Sequence, residues 1–395
     1  MIKHTLIVSA IFPPEPVVSA RLSDDIYHSI KRKGCVVKVF HPKATRPNGY
    51  KFEEDRAVGP DEIVSHSYTC PKSSIFGRFR ESYSFGKATS RYIKQHHPEI
   101  DTVYANTWPL FAQLFLAKAA KKYDIPYYIH IQDIYPESYC HKMPKILGKM
   151  LYHLLVPIDK YVLQNAKGVF AISPSMKSYL SESRGIDDTK VLLVRNWQDD
   201  KVYVDAYKPI EEKHEKTNVM YLGSINPTAN VSLIIKAFSH LNSEQYHLNI
   251  IGNGPEQENC QELAKQLGVE VSFGTVTPDQ VAGKQGEADL LVLCLKKGVA
   301  QTATPSKLTA YMLTGRPIVA SVDLDSDCAN IIKEAGCGLV VEPDNETALS
   351  NAIRELSQKR VEELKAMGKA AFDYAVDHLS KERNLKLLVD KLING

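Results

Sequence analysis

Ser306 and Lys307 stand near the start of a run whose residue types suit phosphate chemistry, Ala303-Thr-Pro-Ser-Lys-Leu-Thr-Ala-Tyr-Met-Leu-Thr-Gly-Arg-Pro317. The run predicts a helix opening at Pro305 and Ser306 and stopping at Gly315. A helix start offers free backbone N–H groups and the positive end of the dipole, which together attract anions. Lys307 adds a full charge there; the alternative is a capped helix with a surface lysine. Asp133 follows an apolar segment at 127–131 and could orient or deprotonate a hydroxyl. It could equally bond backbone in the turn before Pro136. Glu137 could serve either role, whereas His130, inside the apolar segment, reads as a satisfied core histidine. Gly252, Asn253 and Gly254 form a turn whose small residues let backbone approach a ligand, or simply turn the chain.

These residues need a frame. Apolar strand-like segments at 5–11, 35–40, 101–105, 127–131, 168–172 and 190–194 alternate with helix-like ones at 19–33 and 110–122. A polar, non-periodic stretch at 201–216 reads as a linker. A second series follows, with strands at 219–222, 247–252, 270–273, 289–294, 317–321 and 338–341. Strands alternating with helices predict an α/β chain of two doubly wound, Rossmann-like parallel-sheet domains facing a cleft. The domains are expected at 1–200 and 217–375, with a C-terminal helix at 376–395 that could return to the first domain. Ligands of such sheets sit outside the carboxyl ends of the strands, where Asp133 and the 303–317 loop fall.

The chain's 395 residues exceed what one core usually holds. Its seven scattered cysteines form no CxxC pair, which fits a reducing cytoplasm and argues against zinc. Pro13 and Pro14 break the N-terminal apolar run, so a buried strand explains it better than a signal peptide. No apolar run approaches the roughly 18 residues of a spanning helix. The net charge of +3 conceals an asymmetry: residues 1–200 hold 28 Lys+Arg against 20 Asp+Glu. That basic half favours an anionic surface or substrate, or is drift in surface composition. No long basic block suggests nucleic acid.

The motifs together resemble the GT-B retaining glycosyltransferases of family four, especially the bacterial branch that builds capsule and O-antigen polysaccharide. The resemblance rests on Pro305-Ser-Lys with Gly315-Arg-Pro, on Ile11-Phe-Pro-Pro-Glu15, on Asp133-Ile-Tyr-Pro-Glu-Ser138, on Gly252-Asn-Gly-Pro255 and on Gly336-Cys-Gly-Leu339. It implies transfer of a hexosyl or N-acetylhexosaminyl group from a nucleotide-sugar, with UDP the leading nucleotide, to a polyprenyl-diphosphate-linked or oligosaccharide acceptor. It implies no cofactor and no metal. Lys307, Asp133 and Arg21 are then the catalytic candidates; Arg21 could close over the donor or be an ordinary solvated arginine. Donor contacts are expected at Gly223, Ser224, Asn226, Gly252, Asn253, Thr275, Thr304, Pro305 and Ser306. Acceptor contacts are expected at Glu15, Ser19, Glu137, Arg78 and Arg80.

Two departures are plain. The family's Glu-x7-Glu pair is replaced by Thr302 and Ala310, and its diphosphate-binding Arg and Lys by Ser224 and Ala229. A branch that grips the donor differently is the favoured account; an unusual donor, an inactive scaffold and a UDP-sugar epimerase of the same fold are the alternatives. Two basic segments are also amphipathic. The one at 74–94 mixes aromatic and cationic residues and is the better candidate for peripheral contact with the inner face of a membrane. For the one at 144–163, packing on the core is preferred.

Overall fold

The computed structural model describes residues 2–45, 58–70, 75–106, 110–140, 143–197, 199–300 and 306–395. The chain forms two compact units, residues 1–196 with 384–395, and residues 197–383.

The first unit holds seven parallel strands: β1 His4–Ser9, β2 Val36–Pro42, β3 Glu62–Ser65, β4 Thr102–Asn106, β5 Tyr127–Ile131, β6 Gly168–Ala171 and β7 Val191–Leu193. Their order is β3-β2-β1-β4-β5-β6-β7, so the winding reverses between β1 and β4. Strands covered on both faces read as continuous apolar runs. In β1, Leu6 and Val8 join Val103, Ile129 and Val169 in one core. Alternation sends Ile7, Tyr104, Tyr128 and Phe170, all buried, to the opposite face. The final helix, Lys381–Asn394, closes this unit. Its Asn384 side-chain Oδ1 accepts from the Arg195 backbone amide at 2.8 Å, and Lys33 pairs with Asp390.

The second unit holds β8 Thr217–Leu222, β9 Tyr246–Ile251, β10 Val271–Gly274, β11 Leu290–Cys294, β12 Ile318–Ser321 and β13 Gly338–Val341. Again all strands are parallel, in the order β10-β9-β8-β11-β12-β13, with the reversal between β8 and β11. Val219 and Tyr221 enter one apolar core, Met220 and Leu222 the other.

One reading needs correction. The stretch at 201–216 is not a free connector. It opens with a helix, Lys201–Ala206; Tyr207 stacks on Phe372 at 3.9 Å, and Ile210 is buried. Charge at its other positions hides those anchors. The segment at 74–94 lies in the helix Ile75–His96, whose aromatic residues divide between the interior and an exposed side that keeps Phe76 and Tyr83. Phe79 meets Phe111 and Tyr139, and Tyr83 meets Phe115.

Candidate functional site

In the second unit the reversal between β8 and β11 gathers the residues expected to hold an anion. Lys307 sits in the first turn of the helix Ser306–Leu313. One turn on, Tyr311 ties that helix to the end of β8: its hydroxyl accepts from the Leu222 amide at 2.9 Å and donates to the Leu222 carbonyl at 3.0 Å. Lys307 is thereby laid across the Gly223 loop. Its ammonium donates to the Tyr221 hydroxyl and, at 3.3 Å, to the Ser224 carbonyl. It also rides 4.6 Å from the Tyr221 ring centroid. Burial pushes the Lys307 ammonium down to about 8, because desolvation disfavours the charged form. An anion here would relieve that.

Glycines let three strand ends lie side by side. The Gly223 amide donates to the Ile251 carbonyl at 2.8 Å, and the Gly252 amide to the Gly274 carbonyl at 2.7 Å. A β-carbon on Gly252 would strike the Gly223 carbonyl, so no larger residue fits this approach. Ser224, Asn253 and Thr275 are exposed along the same edge. Asn253 is also tied through its backbone carbonyl to the Ile225 amide, at 2.8 Å. The Asn226 side chain serves its own loop, accepting from the amides of Thr228 and Ala229, both at 3.0 Å. Ser306 is exposed at the helix start; Pro305, Thr304 and Thr302 lie outside the described residues. Ala229 and Ala310 are buried.

Tyr221, the platform under Lys307, carries no signal in the sequence.

In the first unit a cavity of about 150 Å³ opens at the carboxyl ends of β1, β4 and β5. Ser19, Asn106, Gln113, Gln132, Asp133 and Asp159 supply its polar lining. The Ser19 hydroxyl donates to Gln132 Oε1 at 2.8 Å, while Asn106 Nδ2 donates to the Ser19 carbonyl at 3.2 Å and to Ser23 Oγ at 3.0 Å. Asp133 is exposed at this site. A carboxylate beside amides and a hydroxyl can take up the hydroxyl groups of a sugar. His130, at the cavity wall, is buried and bonds Tyr104 through Nδ1 at 2.8 Å. Burial pushes it down to about 4, so it is neutral at pH 7.

A buried ionic cluster, also missed, holds the loop that carries Asp133. Arg184 has no exposed surface. It donates through Nε to Asp159 at 2.6 Å, and through Nη2 to both Glu137 oxygens at 2.7 and 2.8 Å and to the Tyr135 carbonyl at 2.9 Å. Tyr179 donates to Glu137 at 2.6 Å. One cation serves two carboxylates, and burial pushes Asp159 up to about 6. Glu137, expected at the acceptor, is instead committed to this cluster because the loop's buried arginine needs a counter-charge.

Other acceptor candidates also have internal work. Buried Glu15 accepts from the amides of Phe12 and Thr45, at 3.3 and 2.9 Å. Arg78 pairs with Glu81 at 2.8 Å, and Arg80 lies over the Tyr68 ring at 4.3 Å. Arg21 is exposed on the helix Val18–Arg32.

Two family models divide the chain between them. Residues 20–201 match Glycosyltransferase Family 4, and residues 205–374 match Glycosyl transferases group 1. No curated protein matches the sequence. Among solved structures, Alr3699/HepE from Anabaena in complex with UDP is 15% identical at a TM-score of 0.68, covering 100% of both chains. A glycosyltransferase from Rickettsia africae is 14% identical at 0.69, covering 100% of this chain and 99% of that one. The lipopolysaccharide outer core galactosyltransferase WaaB is 17% identical at 0.69, covering 99% of each.

Proposed function

We propose that this chain, whose two halves belong to the family 4 and group 1 glycosyltransferases and which has the GT-B fold, transfers a hexosyl or N-acetylhexosaminyl group from a UDP-sugar with retention of configuration. The observation that carries this is Lys307 held across the Gly223 loop at the β8–β11 reversal. Departure of the nucleotide diphosphate builds negative charge as the anomeric carbon becomes cationic. Preorganised groups aimed at that charge are usually the largest catalytic contribution. Lys307 and the backbone N–H groups at its helix start fill that role. Asp133 orients the acceptor hydroxyl. Transfer on this reading needs no cofactor or metal.

The acceptor we propose is a polyprenyl-diphosphate-linked glycan used in capsule or O-antigen assembly, met at the cytoplasmic face of the membrane. Similarity to the galactosyltransferase of lipopolysaccharide core and the basic first half support it. A thermal-shift screen of nucleotides and nucleotide-sugars tests the donor. Ligand at 100 times its dissociation constant should stabilise by about 2.7 kcal/mol, and Lys307→Ala should abolish the shift. No shift with any nucleotide would favour a scaffold; donor turnover without an acceptor would favour an epimerase.

A further inference from the structure

The helix Lys145–Asn165 has two faces with different work. Inward, Leu155, Val162 and Leu163 are buried, and Asp159 and Leu163 line the cavity that holds Asp133. Outward, Ile146 is 88% exposed, Met150 66% and Leu154 68%, with Leu147 beside them. Positions 146, 150 and 154 recur every four residues and so form one stripe. Monomeric surfaces seldom leave large apolar side chains grouped this way without a partner.

Charge identifies the partner. Lys145 and Lys149 are exposed beside the stripe. The helix has one acid, Asp159, which is buried on Arg184. An apolar row edged by lysines, with no exposed acid, suits the headgroup and acyl boundary of an anionic leaflet. A short run of contacts leads from the helix Lys145–Asn165 to the helix Ile75–His96. Gly148 abuts the Cys140 carbonyl, the adjacent Tyr139 touches Phe79, and Phe76, one turn before Phe79, is 86% exposed. No described helix is long and apolar enough to cross a membrane.

We propose that the outer face of the helix Lys145–Asn165, through Ile146, Met150 and Leu154 with Lys145 and Lys149, lies in the anionic lipid surface. The cavity lined by the helix's inner face then stands beside the bilayer, where a lipid-linked acceptor presents its sugar; this rests on the acceptor reading above.

The test is cosedimentation of the whole chain with vesicles of phosphatidylglycerol and phosphatidylethanolamine, against vesicles of phosphatidylcholine alone. The chain should bind the anionic vesicles at least tenfold more tightly. Ile146→Ser with Met150→Ser and Leu154→Ser, and separately Lys145→Glu with Lys149→Glu, should each reduce binding at least tenfold. These positions are exposed, so both variants should keep the wild-type melting temperature and the thermal shift with UDP. Absence of binding by the wild type, or binding unchanged in both variants, overturns the proposal. So does a stable dimer, seen by sedimentation velocity, that the triple serine variant dissociates, since the stripe would then cover a second copy. Vesicle binding without any nucleotide shift would instead retain the docking face and remove the transferase reading.

Discussion

The side chain of Lys307 lies so close against Gly223 that a β-carbon there would run into Cε and stand 2.9 Å from Nζ. Gly223→Ala should therefore leave the fold standing, because the lysine stem can swing away. Gly223 also holds φ at 152°, where any side chain is strained, so the cost should exceed about 1 kcal/mol. The ammonium would lose its seat on Tyr221, and UDP-induced stabilisation should fall at least tenfold in apparent affinity. Calorimetric titration measures this; an unchanged UDP affinity in a folded Gly223→Ala protein would take Lys307 out of the donor site.

The depressed Lys307 ammonium gives a prediction in pH. Its folded value is about 8 against an ordinary 10.5. Between these values the unfolded chain binds the extra proton, so the cost of burying the charge is complete below about pH 8 and is relieved as pH rises towards 10.5. Lys307→Met should accordingly be more stable than wild type at pH 7, with the difference shrinking by pH 9.5. A diphosphate should restore the ammonium, so UDP binding at pH 8 should take up about half a proton. Titration in two buffers of different ionisation enthalpy reads that uptake. No uptake would mean that the diphosphate does not meet Lys307.

Much of the frame was legible because period is a local property. Buried parallel strands such as Tyr127–Ile131 and Leu290–Cys294 announce themselves as apolar runs, and Gly315 marks where the Lys307 helix stops. The short edge strand Glu62–Ser65 escaped because a four-residue strand, one of them charged, carries little periodic signal. The Lys307 site was legible as a helix start following a strand, but its platform was not. Nothing local distinguishes Tyr221 from any other strand tyrosine. The Arg184 cluster escaped for a related reason: its partners lie 25 and 47 residues away, and pairing across such separations leaves no spacing to read. The outward stripe at 146, 150 and 154 shows the limit of amphipathicity. Periodicity reveals that a helix has an apolar face without revealing whether a core covers it.

Arg184 should act through the loop it holds. Arg184→Met strands two buried carboxylates and should cost about 3–5 kcal/mol. Adding Asp159→Asn and Glu137→Gln removes those charges and should recover part of the loss. Arg184 also fixes the Tyr135 carbonyl, two residues beyond Asp133. The triple variant, if folded, should therefore turn over more slowly and show a higher KM for acceptor, with the donor KM unchanged. Chemical denaturation and steady-state kinetics on both substrates check this. Wild-type acceptor kinetics in the triple variant would confine Arg184 to stability.

Asp133 presents the sharpest separation of binding from chemistry. It is exposed at the cavity beyond β5 and carries no hydrogen bond to any described residue, so its carboxylate is open to a ligand. Asp133→Asn preserves size and polarity and removes the negative charge. If the carboxylate orients or deprotonates the acceptor hydroxyl, kcat should fall by about 10²–10⁴-fold. UDP stabilisation should be unchanged, because the donor groups Lys307 and Gly223 lie in the other unit. The alternative, a purely conformational part in the turn before Pro136, predicts a lower melting temperature with near-normal turnover. Measuring kcat, the acceptor KM and the UDP thermal shift on one preparation separates the two, since only the acceptor role lowers kcat while leaving the melting temperature and the UDP shift at wild-type values.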